Sequence, residues 1–152
     1  MVTKRSYEDG CASAHALDLV GERWALLIVR ELVLGPKRFT DLRGGLPGIS
    51  PNVLTQRLDE LEQASVVRRR RLAPPAAAWV YELTDWGAEL GPVIMSFGRW
   101  AARSPTMPHD HPMSVDSLIL SMRTMFDAGA AAGLKARYRL RFTSSGFTDD
   151  DL

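Results

Sequence analysis

Apolar residues recur along the chain at two different spacings, and the order of those spacings predicts the architecture. From Cys11 to Val20, Ala14, Leu17 and Val20 share one side of a short helix that Gly21 ends. Trp24 to Leu34 is apolar nearly all round, broken by Arg30 and Glu31. That pattern suits a helix at the centre of a small bundle, and Gly35-Pro36 stops it. Phe39, Leu42 and Leu46 give a short helix over Arg38–Leu46. Gly44 and Gly45 weaken its last turn by roughly 1 kcal/mol each relative to alanine, which puts its rigidity in question. After the turn Leu46-Pro47-Gly48-Ile49, Ser50 is a favoured N-cap and Pro51 fits the first helical position. Ile49 can staple to Leu54. Leu54, Leu58 and Leu61 then line the inner face of a helix that ends near Ala64-Ser65.

Beyond Ser65 the spacing becomes alternating. Val66–Leu72 and Trp79–Leu83 predict two strands joined by the loop Ala73–Ala78, a hairpin with an extended tip. Thr84 can cap a further helix carrying Trp86, Leu90, Val93, Ile94, Phe97 and Trp100. That is more large apolar surface than one small core needs. The surplus predicts a dimer interface at Trp86, Leu90, Ile94, Phe97 and Trp100. Ser104–Pro112 holds prolines and histidines without periodicity and predicts a linker. Val115–Phe126 predicts an amphipathic helix, Leu134–Phe142 a strand, and Gly146–Leu152 a disordered end. The expected organisation is one domain over 1–103, a linker over 104–113 and an appendage over 114–152.

Composition narrows the class. The chain has 152 residues, 45% apolar and 24% charged, enough for a compact core. The polar N-terminus does not resemble a secretory signal, and the apolar run Trp24–Val29 is far short of the roughly 20 residues that span a bilayer. A soluble, cytoplasmic protein without membrane association is expected. The single cysteine, Cys11, excludes an intrachain disulfide. The net charge of +1 hides an uneven distribution, since Arg23 to Arg71 carries ten basic side chains against five acidic ones. A basic middle in a near-neutral chain suggests a surface facing a polyanion.

Helices, turn, helix, hairpin and helix in this order make a mainly α fold with a small β-hairpin, a winged helix-turn-helix. In that plan a short helix and turn brace a second helix whose outer face enters the major groove of double-stranded DNA. Asn52, Thr55, Gln56 and Asp59 fall on the outer face near the start of the Pro51 helix. Asn and Gln suit bidentate bonds to adenine, and the Thr methyl suits thymine. Arg57 beside them suits a phosphate or guanine. The helix start at Ser50 and Pro51 offers free N–H groups to a phosphate. Lys37, Arg38, Thr40 and Arg43 can clamp the backbone nearby.

Several ordered motifs give the chain a specific resemblance. Cys11 is followed by Leu17-Asp18-Leu19-Val20-Gly21, then Arg23-Trp24-Ala25-Leu26-Leu27-Ile28, Arg30-Glu31-Leu32, Gly35, Arg38-Phe39 and Asp41-Leu42. Leu46-Pro47-Gly48-Ile49-Ser50-Pro51 comes next, then Leu54-Thr55-Gln56-Arg57-Leu58, Leu61-Glu62 and Tyr81-Glu82-Leu83-Thr84 with Gly87. From Cys11 to about Trp100 the chain resembles the HxlR-type branch of the MarR-like winged-helix regulators. The resemblance implies a homodimeric, non-enzymatic transcriptional regulator, a repressor, acting on a pseudo-palindromic operator with no cofactor. The chain departs from the pattern at the hairpin tip, where a basic residue is usual and Pro74–Ala78 has none. Wing contacts must then come from the strand. Alternation sends Arg68 and Arg70 to one face and Arg69 and Arg71 to the other, so only one pair can face DNA; Arg68 and Arg70 stand among the candidates.

The resemblance also implies a role for Cys11, which aligns with an N-terminal cysteine through which some relatives sense oxidants or electrophiles. A helix start favours its thiolate, and a small buried hydrophobe is the alternative. A small-molecule inducer between the aromatic residues is a further option. His109-Asp110-His111 reads as linker rather than as a metal site. Val115–Phe142 is similar to the opening of a sterol-carrier-like domain, but is too short to enclose a ligand. Two other classes stay open: a winged-helix protein-interaction module without DNA binding, which the bare tip favours, and a small-molecule carrier acting through the tail.

Overall fold

The computed structural model describes residues 6–108, 111 and 113–140. Four helices come first: α1 (Ala12–Val20), α2 (Ala25–Leu32), α3 (Phe39–Gly45) and α4 (Pro51–Gln63). Strands β1 (Val67–Arg71) and β2 (Trp79–Leu83) follow, then α5 (Asp85–Ala88), α6 (Leu90–Ala101) and α7 (Val115–Met125). The strands are antiparallel, with Val67 facing Leu83 and Arg71 facing Trp79. Lys37 extends the sheet by one bridge, donating its N–H to the Tyr81 carbonyl at 3.0 Å and accepting the Tyr81 N–H at 2.8 Å. This is the winged helix-turn-helix plan expected from the sequence. Among the described residues no helix is long and apolar enough to cross a membrane.

One core joins the elements. Ile28, Val29 and Leu32 of α2 meet Leu42 and Leu46, Leu54, Leu58 and Leu61 of α4, and Val66 and Val67 at the start of the hairpin. Each fully buried leucine stabilises by about 1.5–3 kcal/mol relative to exposure, so α4 is held chiefly through its three leucines. Ser50 caps α4 by accepting the Val53 N–H at 3.3 Å, with Pro51 in the first turn. Thr84 caps α5 by accepting the Gly87 N–H at 2.9 Å.

Several local expectations are corrected. Leu17 is half exposed rather than inward. Trp24 is not helical but sits left-handed before α2, at φ 79°. The helix after Thr84 divides into α5 and α6 at Glu89. Pro92 supplies the reason: it has no N–H to give Ala88 and is tolerated only in a first turn, which the break provides. Residues 134–140 form no strand, since among the described residues they pair with no other strand; the last two residues of that expected strand lie outside the described residues, as do His109 and Asp110.

Gly44-Gly45 remains helical, and Gly45 has a packing role. A Cβ there would overlap the Glu31 carboxylate, which is buried to 1% exposure. Glu31 accepts from Arg30 at 2.9 Å, from Lys37 at 2.6 Å and from the Ser114 hydroxyl at 3.5 Å. Lys37 also pairs with Asp116 at the start of α7. The far end of α7 is tied by Arg99 Nε, which donates to the Thr124 carbonyl at 2.8 Å. Leu120, Ser117 and Thr124 are buried beneath the helix. The appended helix is therefore seated on α2 through this ion network and on α6 through the Arg99 bond.

Candidate nucleic-acid interface

The inner leucines of α4 determine what its other side presents. With Leu54, Leu58 and Leu61 inward, Asn52, Thr55, Gln56 and Asp59 are all exposed. The Thr55 hydroxyl donates to the Pro51 carbonyl at 3.0 Å, which occupies its proton and leaves the methyl for apolar contact. Gln56 Nε2 donates to Glu60 Oε1 at 3.0 Å, an exposed contact that competing base edges can replace. Ser50 and Pro51 are exposed at the helix start. Arg38, Thr40 and Arg43 are exposed on and before α3. These residues form one polar, partly cationic surface around the α3–α4 turn.

Two expected members do not join that surface. Arg57 turns to the flank of α4, where it pairs with Glu60 and lies 3.4 Å from Glu22, with only 14% of its side chain exposed. The helical repeat explains this, since position 57 falls between the inner row and the outer row. Lys37 is likewise 14% exposed and engaged by Glu31 and Asp116. Burial lowers its pKa, but the bonds to Asp116 and Glu31 outweigh that and the net shift is upward, so the ammonium stays charged within the network.

The hairpin separates its four arginines by face. Arg68 Nε donates to Glu82 Oε1 at 2.8 Å, and Arg70 donates to both Glu82 oxygens at 3.0 and 2.8 Å. The Arg70 bond, helped by Arg68, holds the Glu82 carboxyl at about 2, well below its ordinary value. On the other face the Arg69 guanidinium lies over Trp79, 4.6 Å from the ring centroid, and 6.0 Å from that of Tyr81. Sequence reasoning missed Glu82 as an organiser. The alternation that splits the arginines also places Glu82 directly across from Arg68, so the pairing was available once the register was known.

The expected dimer surface also divides. Trp86, Phe97 and Trp100 are 51%, 56% and 69% exposed, as the surplus stripe required. Leu90 and Ile94 instead pack partly against the chain's own core. Val93 is exposed in their place, and it lines a groove of about 220 Å³ with Ala16, Leu19, Val20 and Trp86. Cys11 is exposed at the N-cap of α1. The backbone N–H groups of Ser13, then Ala14, at the start of α1 lower the pKa of its thiol.

Comparison with known proteins agrees with this geometry. A family profile described as HxlR-like helix-turn-helix matches residues 19–108. The chain is 38% identical over 86 residues to an uncharacterised HTH-type transcriptional regulator, YvaP of Bacillus subtilis, a match covering 57% of this chain and 80% of that protein. It is 40% identical over 86 residues to the HTH-type transcriptional regulator YodB of the same organism, covering 57% and 77%. The quinone-bound crystal structure of YodB superposes with a TM-score of 0.53 over 60% of this chain and 97% of that one, at 36% identity. The redox regulator HypR in its oxidised form gives 0.58 at 28% identity, over 64% of this chain and all of that one.

Proposed function

The chain belongs to the HxlR-like helix-turn-helix family of DNA-binding transcriptional regulators, and on that premise we propose that it is a cytoplasmic homodimeric repressor acting on a pseudo-palindromic operator. Its chemistry is recognition rather than catalysis. The observation that carries the reading is the row of exposed Asn52, Thr55 and Gln56 on a helix locked by buried Leu54, Leu58 and Leu61. Asn52 and Gln56 would read adenine edges and the Thr55 methyl would meet thymine. Arg38, Thr40 and the Asn52 N–H at the helix start would hold phosphates and set the register. The wing arginines would add backbone contacts.

The exposed aromatic side chains Trp86, Phe97 and Trp100 support a two-fold partner, with Val93 beside them. Inducer response would run through Cys11, whose thiol is exposed and acidified at the start of α1. The quinone-bound form of YodB and the oxidised form of HypR support an electrophile or oxidant as the signal. Selection of sites from a randomised duplex pool tests the reading. The expected result is a palindromic site with half-sites about one helical turn apart, bound by one dimer. Enrichment of no site would refute it and leave a protein-interaction module as the better account. Phe97→Ala with Trp100→Ala should shift the protein towards monomer in sedimentation.

A further inference from the structure

The tip of the hairpin offers nucleic acid nothing charged: Ala73–Ala78 contains only alanine and proline. Contact must come from the strand faces, and these differ. On one face a single carboxylate, Glu82, engages both Arg68 and Arg70. One of the two positive charges is thereby cancelled, and both guanidiniums are drawn towards the strand. On the other face, among the described residues, neither Arg69 nor Arg71 forms an ion pair, and both are exposed. Trp79 lies directly across from Arg71 and beneath the Arg69 guanidinium, and it is half exposed. Stacking on an indole orients a guanidinium without spending its N–H donors.

Placement points the same way. Val67, Tyr81 and Leu83 share this face and pack on the core that carries α4. The Arg69 N–H is held by Glu62 of α4 at 2.9 Å. The face is thus continuous with the side of the hairpin that abuts α4, whereas Arg68, Arg70 and Glu82 lie on the opposite face, which also carries the buried Val80.

We infer that the nucleic-acid surface of the wing is the face formed by Arg69, Arg71 and Trp79, and that Arg68 and Arg70 brace the hairpin through Glu82. The two free guanidiniums bind phosphates flanking the major-groove site, and the indole packs against deoxyribose. The inference rests on the DNA-binding reading above and assigns which residues of the wing serve it.

The test compares two double variants that remove the same charge, Arg69→Ala with Arg71→Ala and Arg68→Ala with Arg70→Ala, in the full chain. Affinity for the selected operator duplex is followed against salt. Four phosphate contacts per dimer should flatten the slope of log K against log salt by about 3–4 for the first pair. The second pair should leave the slope close to the parent's and lower the melting temperature instead. Arg69→Lys with Arg71→Lys should restore most of the slope, and Trp79→Ala should weaken binding at unchanged slope. Equal losses from both pairs, or a loss from Arg68 and Arg70 alone, would overturn the assignment while leaving the regulator reading intact. A parent that binds no duplex would overturn both.

Discussion

Replacing Glu31 by glutamine removes a charge from the interior with little change in shape. Glu31 is 1% exposed, and its two oxygens serve different cations. Oε1 accepts from Arg30 at 2.9 Å and Oε2 from Lys37 at 2.6 Å. A glutamine amide has one acceptor and one NH2, so either Arg30 or Lys37 would face a donor across a hydrogen-bonding distance. Removing one partner of a buried pair costs about 3–5 kcal/mol. Here Lys37 keeps Asp116, and the Arg30 side chain is 25% exposed, so the lower end, about 3 kcal/mol, is expected. For a chain of this size that corresponds to a fall in Tm of about 6–12 °C. Thermal unfolding by circular dichroism measures it, and hydrogen exchange should show the start of α7 opening first, because Ser114 on one oxygen and Lys37 on the other tie that end to Glu31 and the amide can serve only one of them as acceptor. A change within about 0.5 kcal/mol would refute the claim that the buried carboxylate unites α2, the α3 region and α7.

Three other outcomes follow from the geometry. Gly87→Ala should destabilise by about 2–4 kcal/mol in urea unfolding, because a Cβ there overlaps the Val66 carbonyl and lies 3.2 Å from the capping Thr84 Oγ1. The Glu82 carboxyl titrates at about 2 when folded, against an ordinary 4.5, so its stabilisation is full above the unfolded value and is lost as pH falls through about 2. The difference in Tm between the parent and Glu82→Gln should therefore shrink steadily below pH 4.5; a gap independent of pH would contradict this. Alkylation of Cys11 against pH should show a midpoint below that of an ordinary thiol, since the Ser13 and Ala14 N–H groups favour the thiolate.

Where local physics dominates, the fold was legible in the residues. Ser50-Pro51 started α4 as expected, Leu54, Leu58 and Leu61 took the inner face, and the two alternating runs paired around the Ala-Pro tip. Features that depend on neighbours distant in sequence were not legible. Gly45 reads as a weakness in α3 until Glu31 is seen against it. Lys37 reads as a backbone clamp until Asp116, far along the chain, is found beside it. Residues 134–140 carry a strand's alternation, but a strand exists only where a partner edge does. For the candidate interface, the outer row of α4 followed from periodicity alone. The flank position of Arg57 and its i,i+3 partner Glu60 follow from the same repeat, whereas its other partner, Glu22, lies on a separate segment that no local pattern ties to it.

The central claim is that the outer face of α4 reads bases, and the most direct test is Asn52→Ala with Gln56→Ala against duplexes carrying single base changes in the selected half-site. The account predicts that the parent loses about 1–3 kcal/mol for each changed base pair that these side chains contact, while the variant binds original and changed duplexes alike with its non-specific affinity retained. Undiminished discrimination by the variant would contradict the account, because the residues that its geometry presents to the groove would then not be the ones that read it.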